Sequence, residues 1–444
     1  MFGFLIAKSQ ILVFPVLFVP SDAEWAALKA ENDALKKRVV ELEARLNKYE
    51  NPHTPPSLSG VHISKVGGNK PGRQKGHAGV GRKTPDVIQK HKSLELKACP
   101  HCGGKVKRKN ARTRVVTDIK PGHAENMAYD VQRSYCANCH KIVEPVVAAA
   151  LPNNRFGLRL ALYISFLSVL GITLSKIRAI LLHDYNLAVS KGTIANTIEQ
   201  LAKYLGEDYE RLRMQLFEEK DLFADETSHP VHGKNGWLWA FIGKKVAYLR
   251  VELSRGQKVV EKTLHGYDGI LHSDFWSAYN VLKCDKQKCL AHLNRELKYL
   301  RAKKMSPELK KYCTKLLRLL RYALTENKHT KQFRGFCETR LHSIIDEEYS
   351  NNDCQRLNKR LRRHATEIFL FTEMETETTN NTAERSLRPC VIKRKNTYGS
   401  HSLEGAQAHA VMASFYQTSQ FQKQNYETFV GQLLQNHLQN RTKN

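Results

Sequence analysis

Three acids carry the chemistry that this chain could do: Asp225 in DLFADET, Asp274 in GILHSDFWSAY and Glu384 in NNTAERSLRP. Each aspartate closes an apolar, strand-like run, and the glutamate opens a basic helix far downstream. Three carboxylates gathered from such elements can hold two divalent cations, and a two-metal site can cut and rejoin phosphodiesters. Magnesium keeps waters of its own and asks for few protein carboxylates, so three acids suffice. Alternation along the strands places Phe223, Asp225 and Thr227 on one face, and Ile270, His272 and Asp274 on one face. On the third segment Asn381, Glu384 and Arg388 stand at i, i+3 and i+7, so they share a helix face and Arg388 can reach a phosphate beside Glu384. Taken singly, an Asp at a strand end is more often a turn or cap residue. A Glu in a basic helix is more often half of a surface ion pair. Glu226, Asp268, Glu373, Glu375 and Glu377 compete, so these residues alone leave the choice of acids open.

The elements that would position the acids follow from periodicity. From Asp221 the apolar pattern alternates, predicting three strands in meander order, DLFADET, GWLWAFIG and KVAYLRVEL. A helix (GQKVVEKTLHG), a fourth strand (GILHSDFWSAYN), a short fifth strand near KQKCLAHL and a helix (NRELKYLRAKK) come next. Three antiparallel strands, a helix, then strand and helix is the order of a ribonuclease-H-like core. Residues 306–364 read as basic and all-helical, with Ser306-Pro307-Glu308 as a start signal, LKKYCTKLLRLLRYAL as an amphipathic helix and RLNKRLRRH as a dense positive segment. Upstream, FGLRLALYISFLSVLG reads as a buried helix. SKIRAILLHDYNLAVSKGTIANTIEQLAKYL reads as helix, turn, helix, with Ser190 as the second N-cap. A helix-turn-helix would lay that second helix in a major groove; an ordinary helical hairpin fits the same pattern.

Cys99, Cys102, Cys136 and Cys139 form two C-x2-C pairs separated by 33 residues. Each tight pair can present two thiolates to one tetrahedral zinc. Gly103-Gly104 permits the turn after the first pair, and TRVVTDI and AYDVQRSY predict a hairpin that returns the second pair to the first. His101 and His140 read as surface neighbours. The other six cysteines (Cys284, Cys289, Cys313, Cys337, Cys354, Cys390) read as reduced, partly buried thiols, because a long chain with irregular spacing is not a secreted disulfide framework. A reducing cytoplasm fits.

The chain of 444 residues sets 71 Lys+Arg against 43 Asp+Glu, a net charge of +28. That balance points to a polyanion, most simply nucleic acid. Basic residues concentrate at SKVGGNKPGRQKGHAGVGRK, where Arg73, Lys75, Arg82 and Lys83 lie among glycines with no acid. Such an arm tracks phosphates and orders on binding, or serves as a solvated linker. Ahead of it Trp25, Asn32, Val39 and Leu46 repeat every seven residues, as do Leu28, Leu35, Leu42 and Tyr49. This is a coiled-coil seam with a polar residue, Asn32, at one a position, a device that fixes register in a dimer. A lone amphipathic helix is the plainer reading. The first twenty residues are apolar but lack the basic start and small-residue cleavage site of a signal peptide. An apolar leader or an upstream start is the expectation there, and no other stretch could span a membrane.

Taken in order, these pieces resemble the insertion sequence sixty-six family of DDE transposases, the TnpC type. The matching pieces are the coiled coil, PPS and GRQKGHAGVGRK, CPHCGG with CANC, ADET, HSDFWSAY, QKCLAHLNREL and NNTAERSLRPCVIKRKNTYGSHSLEGA. They run from about residue 25 to the C-terminus. The last is the most specific, combining Asn381, Ala383, Glu384, Arg385, Arg388, Arg394-Lys395-Asn396 and Gly405. Thr379 stands where an acid is often found before the Asn pair. The resemblance implies a catalytic and magnesium- or manganese-binding triad of Asp225, Asp274 and Glu384. DNA contacts are expected of Arg385, Arg388, Lys393, Arg394 and Lys395. Asn381, on the Glu384 face, and His292, just after the fifth strand, are auxiliary candidates, His292 for positioning phosphate, although a packed or capping histidine is its plainer reading. The resemblance implies cleavage at transposon ends, where a water frees a 3′-hydroxyl that then attacks target DNA, with no covalent protein–DNA intermediate. Two ends must meet, so a homodimer through the coiled coil is expected, with accessory proteins of the element as further partners.

The expected fold is multidomain α+β: an apolar leader (1–21), coiled coil (22–50), basic arm (51–97), zinc-binding domain (98–145), helical DNA-binding segment (150–215) and ribonuclease-H-like catalytic domain (216–435) with a helical insertion at about 300–365. A non-catalytic zinc-containing DNA-binding regulator, or another ribonuclease-H-like nuclease, would use many of the same features.

Overall fold

The structure, a computed structural model, describes residues 22–50, 84–120, 122–302, 306–326 and 328–440. The leader and most of the basic arm, with Arg73, Lys75, Arg82 and Lys83, lie outside the described residues. The chain divides into a unit over Met1–Asn69 and a unit over Lys70–Asn444.

In the first unit, α1 (Asp22–Glu50) is one helix of 29 residues. Leu35, Val39, Val40 and Leu42 are exposed along it.

The second unit begins with a small sheet. Strands β1 (Lys90–Leu94), β2 (Val106–Lys120), β3 (His123–Cys136) and β4 (Lys141–Val143) pair in the order β1-β3-β2, with β4 also on β3. The long β2–β3 hairpin is the predicted one. Its register sets Val106 opposite Cys136, which carries the second cysteine pair back to the first.

Helices α2 (Leu158–Val169), α3 (Leu174–Tyr185), α4 (Lys191–Tyr204) and α5 (Gly206–Gln215) follow. Ser190 caps α4 as expected, its hydroxyl accepting from the Thr193 amide. Buried Ile194, Ile198 and Leu201 of α4 belong to a core that also holds Leu222, Trp239 and Phe241 of the large sheet. The helical segment and the sheet therefore share one apolar interior. Lys191, Thr193, Asn196 and Lys203 form the exposed side of α4.

The large sheet comprises β5 (Asp221–Ser228), β6 (Trp237–Ile242), β7 (Ala247–Glu252), β8 (Ile270–Ser273) and β9 (Asp285–Lys288), with α6 (Gln257–Leu264) between β7 and β8. The order is β7-β6-β5-β8-β9. Strands β5, β6 and β7 are antiparallel, and β8 and β9 add in parallel to β5. All five strands and the connecting helix match the periodicity reading.

An insertion follows β9: α7 (Leu290–Ala302), α8 (Pro307–Thr325), α9 (Lys331–Ile345), α10 (Asn352–Arg363) and α11 (Ala365–Ile368). It has its own core from Leu290 to Phe371, wider than the expected 300–365 because Leu290, Leu293 and Leu297 of α7 pack inward. The start signal at α8 holds, with the Ser306 hydroxyl accepting from the Leu309 amide and Pro307 in the first turn.

Helices α12 (Asn381–Thr397), α13 (Leu403–Phe421) and α14 (Tyr426–Asn440) close the chain. Ala383, Leu387 and Cys390 of α12 join Phe223, Leu238 and Ala240 on the second face of the sheet. Along the edge strand β7, the free amides of Ala247 and Leu249 are taken by Thr418 Oγ1 and Ser414 Oγ of α13 at 3.0 and 2.8 Å. Residues four apart on a helix thus serve residues two apart on a strand, and the edge is not left open.

Candidate active site

The parallel register of β5 and β8 pairs Asp221 with Ile270 and Phe223 with His272. Two residues further, alternation carries Asp225, within β5, and Asp274, just past the end of β8, to the same side. The ring of Phe223 stacks on that of His272 at 4.4 Å, confirming a common face. This face is the one that α12 covers. Glu384, in the first turn of α12, is therefore the acid that the helix brings to it.

Each acid is held by its surroundings. Asp225 Oδ1 accepts from the Glu226 amide at 2.9 Å. Asp274 Oδ1 accepts from the Trp276 amide at 2.8 Å. The Asp274 carbonyl accepts from Lys288 Nζ at 3.1 Å, and that fully buried amine also reaches Ser273 Oγ at 3.2 Å. Phe275 turns into the insertion, where Arg360 lies 4.7 Å from its ring, so the chain after Asp274 is gripped on both sides. His292 Nε2 stands 3.4 Å from Glu384 Oε1. The nearer role for His292 is thus orienting Glu384.

Asn381, expected with His292 as an auxiliary residue, is exposed, and its neighbour Asn380 is buried. Asn380 Nδ2 donates to the Ala224 carbonyl at 2.8 Å, and its amide donates to Cys289 Sγ at 3.1 Å. The NN pair was the signal; which Asn turns inward depends on how α12 meets β5.

Electrostatics mark the cluster. Burial, then the charges of Glu226, Asp274 and Glu384, raise the Asp225 carboxyl well above its usual range. Glu384 Oε1 is enclosed and makes no hydrogen bond, with His292 Nε2 beside it at 3.4 Å. Carboxylates that repel one another in this way fit a divalent cation. Among the described residues the side-chain ligand atoms that converge on one point are those of the four cysteines, not those of the three acids.

The competing acids fall elsewhere. Glu226 points to the opposite face of the sheet, where it accepts from Arg255 Nε at 2.8 Å and from the Tyr279 hydroxyl. Glu373 pairs with Arg334 at 2.7 Å. Asp268, Glu375 and Glu377 are exposed.

The model of the family described as "Transposase IS66 family" matches residues 160–408, from α2 into α13, and so encloses all three acids. The chain belongs to the IS66 transposase family. It is also similar to two uncharacterized proteins of Sinorhizobium fredii. One, y4qI, is 28% identical over 291 residues, covering 56% of this chain and 53% of that protein. The other, y4jD, is 24% identical over 362 residues, covering 72% and 70%. The chain thus spans about half the length of the first relative and a little over two thirds of the second.

In this IS66 transposase the basic residues of α12 divide by orientation. Arg385, Arg388 and Lys395 are exposed and free to meet a phosphate backbone. Arg394 is not: it is buried, and its guanidinium donates to Thr227 Oγ1 and Ser228 Oγ at 2.8 and 2.9 Å and to the Ser228 carbonyl. It is a strut between α12 and β5, which corrects its assignment as a DNA contact. Lys393 also turns inward, its amine meeting Ser168 Oγ at 2.8 Å and His409 Nδ1 at 2.9 Å. Burial lowers its pKa to about 8. Helical spacing alone could not show that these two point away from solvent.

The cysteine cluster closes as the spacing predicts. Ligand atoms of Cys99, Cys102, Cys136 and Cys139 all lie within 4.8 Å of one another, with Cys99 Sγ 3.6 Å from Cys139 Sγ and Cys102 Sγ 3.5 Å from Cys136 Sγ. Gly103, at φ +69°, makes the turn that folds the first pair, and its amide donates to the Cys99 carbonyl at 2.9 Å. The Cys139 amide lowers the Cys136 thiol to about 6. Four converging sulfurs fit a tetrahedral metal. Neither His101 nor His140 joins them. All ten cysteines are free thiols.

No helix among the described residues is long and apolar enough to cross a membrane.

Proposed function

We propose that this chain is a divalent-metal-dependent DNA transposase with a ribonuclease-H-like core, cleaving at the ends of its element and transferring the freed strand to target DNA. The observation that supports the reading is the β5–β8 register, which pairs Phe223 with His272 and so, by alternation, puts Asp225 and Asp274 on the face covered by the Glu384 helix. Asp225, Asp274 and Glu384 would hold magnesium or manganese. When bound, such ions supply activation of the attacking hydroxyl and stabilisation of the leaving oxygen. The protein's own part is positional. Asn380 docks α12 on β5, Lys288 fixes the Asp274 backbone, and His292 orients Glu384. Arg385, Arg388 and Lys395 would meet the DNA backbone, with Arg73, Lys75, Arg82 and Lys83 of the arm. The cysteine cluster would hold a structural zinc. The exposed seam of α1 would pair two copies so that two ends are held together.

The test is nicking and strand transfer on DNA carrying the element's ends. Asp225→Asn, Asp274→Asn and Glu384→Gln should each lower both reactions by about a thousandfold or more, the scale of removing a metal-binding catalytic group, with DNA affinity kept. Full nicking by all three variants would sink the triad. DNA binding without any metal-dependent cleavage by the wild type would instead favour a regulator, and nicking without strand transfer another nuclease.

A further inference from the structure

We infer that Trp276 is a stacking platform for one unpaired base of the DNA end engaged by Asp225, Asp274 and Glu384; the inference rests on the function proposed above. Trp276 is tied to that site through its backbone, because its amide donates to Asp274 Oδ1 at 2.8 Å. Trp276 is 36% exposed, whereas Trp239 is fully buried. An exposed indole is ordinarily free to turn, but this one is held. Its Nε1 donates to the Arg255 carbonyl at 3.2 Å. The Arg255 guanidinium lies 4.0 Å from the Trp276 ring centroid and 4.6 Å from that of Trp237, so one cation is clamped between two indoles.

Arg255 is not a spare phosphate ligand. Glu226, with its side chain 1% exposed, takes the guanidinium at 2.7 Å and also receives the Tyr279 hydroxyl. The charge is neutralised from behind, and Arg255 acts as a brace that sets the plane of the indole. The network therefore spends a buried carboxylate, a guanidinium and a tyrosine on fixing one solvent-facing ring beside Asp274.

The chemistry that matches a fixed π surface in a basic protein is a nucleobase. Stacking on an aromatic ring tolerates any base, because every base has a π face. A base inside a duplex cannot offer that face, so the ligand is a base out of the stack. The surroundings suit nucleic acid better than an apolar protein contact. Ser277 and Asn280 beside Trp276, and Gln257 and Lys258 at the start of α6, are exposed and polar. The first turn of α6 carries no acid to repel a phosphate.

The experiment uses the full chain and short DNA ends carrying 2-aminopurine, either unpaired at the terminus or fully paired. Wild-type protein should quench the unpaired probe and prefer that DNA by about tenfold, the scale of one base–aromatic stack. Trp276→Ala should lose the quench and the preference while keeping its affinity for paired DNA. Trp276→Phe should retain a measurable part of both, and matching circular dichroism would show that the fold survives. Quench and preference left intact in Trp276→Ala would overturn the inference. So would a change in self-association by light scattering with the preference unchanged, since the indole would then be a protein contact. Glu384→Gln separates the two readings: it should abolish cleavage yet keep the Trp276-dependent quench. If the wild type shows that quench but never cleaves, the catalytic reading fails and the stacking site stands.

Discussion

Asn380 donates its side-chain amide to the carbonyl of Ala224, the residue immediately before Asp225, at 2.8 Å. One buried hydrogen bond thereby sets the start of the Glu384 helix against the end of the Asp225 strand. Asn380→Ala leaves that carbonyl unpaired in the interior and should lower stability by about 1–3 kcal/mol. Strand cleavage should fall further than the stability loss accounts for, because α12 loses its anchor. Asn381→Ala, at an exposed position, should leave both within error. Chemical denaturation and a nicking assay on the two variants decide this, and equal effects would refute the anchor.

Arg394 and Arg388 lie on the same helix and should behave oppositely. Arg394→Ala strands the buried Thr227 and Ser228 groups it serves and should cost on the order of 2–4 kcal/mol. Arg388→Ala should change stability by no more than about 0.5 kcal/mol. It should instead weaken DNA binding and reduce the salt dependence of binding by about one counterion. Thermal melts and binding titrations across a salt series read both.

Stability should fall in mild acid. Burial, with Lys393 and Arg394 nearby, lowers the His229 pKa from 6.5 to about 4, and burial lowers that of His409 well below 6.5. The unfolded chain protonates both imidazoles as pH drops through about 6.5, while folded His229 resists until about 4. The stability is therefore complete above about pH 6.5 and is lost as pH falls toward 4. His229 alone accounts for a loss of about 3 kcal/mol over that window. Urea midpoints at pH 7 and pH 5 should differ accordingly, and His229→Gln should flatten the slope.

The cysteine cluster should carry about one zinc per chain. Elemental analysis of purified protein measures it. Cys136→Ser should lower the content and loosen the hairpin that closes on it, seen as faster amide exchange over 98–143. Undiminished zinc in that variant would place the metal elsewhere.

Removing residues 22–50 should convert a dimer to a monomer by light scattering, since α1 exposes Leu35, Val39 and Leu42 along its seam. A truncated protein that still dimerises would mean that the heptads pair with something else.

The sequence by itself determined the elements, because their signals are local. Alternation over DLFADET and GILHSD, the Ser190 and Ser306 caps, the paired cysteines and the basic α12 all depend on residues a few positions apart. From these the five strands and the closed cysteine cluster were legible, and Asp225 and Asp274 were plausible among their rivals. Glu384 emerged among its rivals only by family resemblance, because nothing within ten residues distinguishes Glu384 from Glu377 or Glu375 as a partner for a distant strand. Tertiary structure decided the rest. The parallel register of β5 on β8 chose the face that Asp225 and Asp274 share. The opposite face took Glu226 away to Arg255. Docking of α12 turned Asn380 and Arg394 inward and left Asn381 and Arg388 in solvent. The bracing of Trp276 by Arg255 likewise joins residues from separate elements. Helical periodicity gives the angles between side chains on α12, but the absolute rotation of that helix is fixed only by what it packs against, and that partner lies more than 150 residues away in the chain.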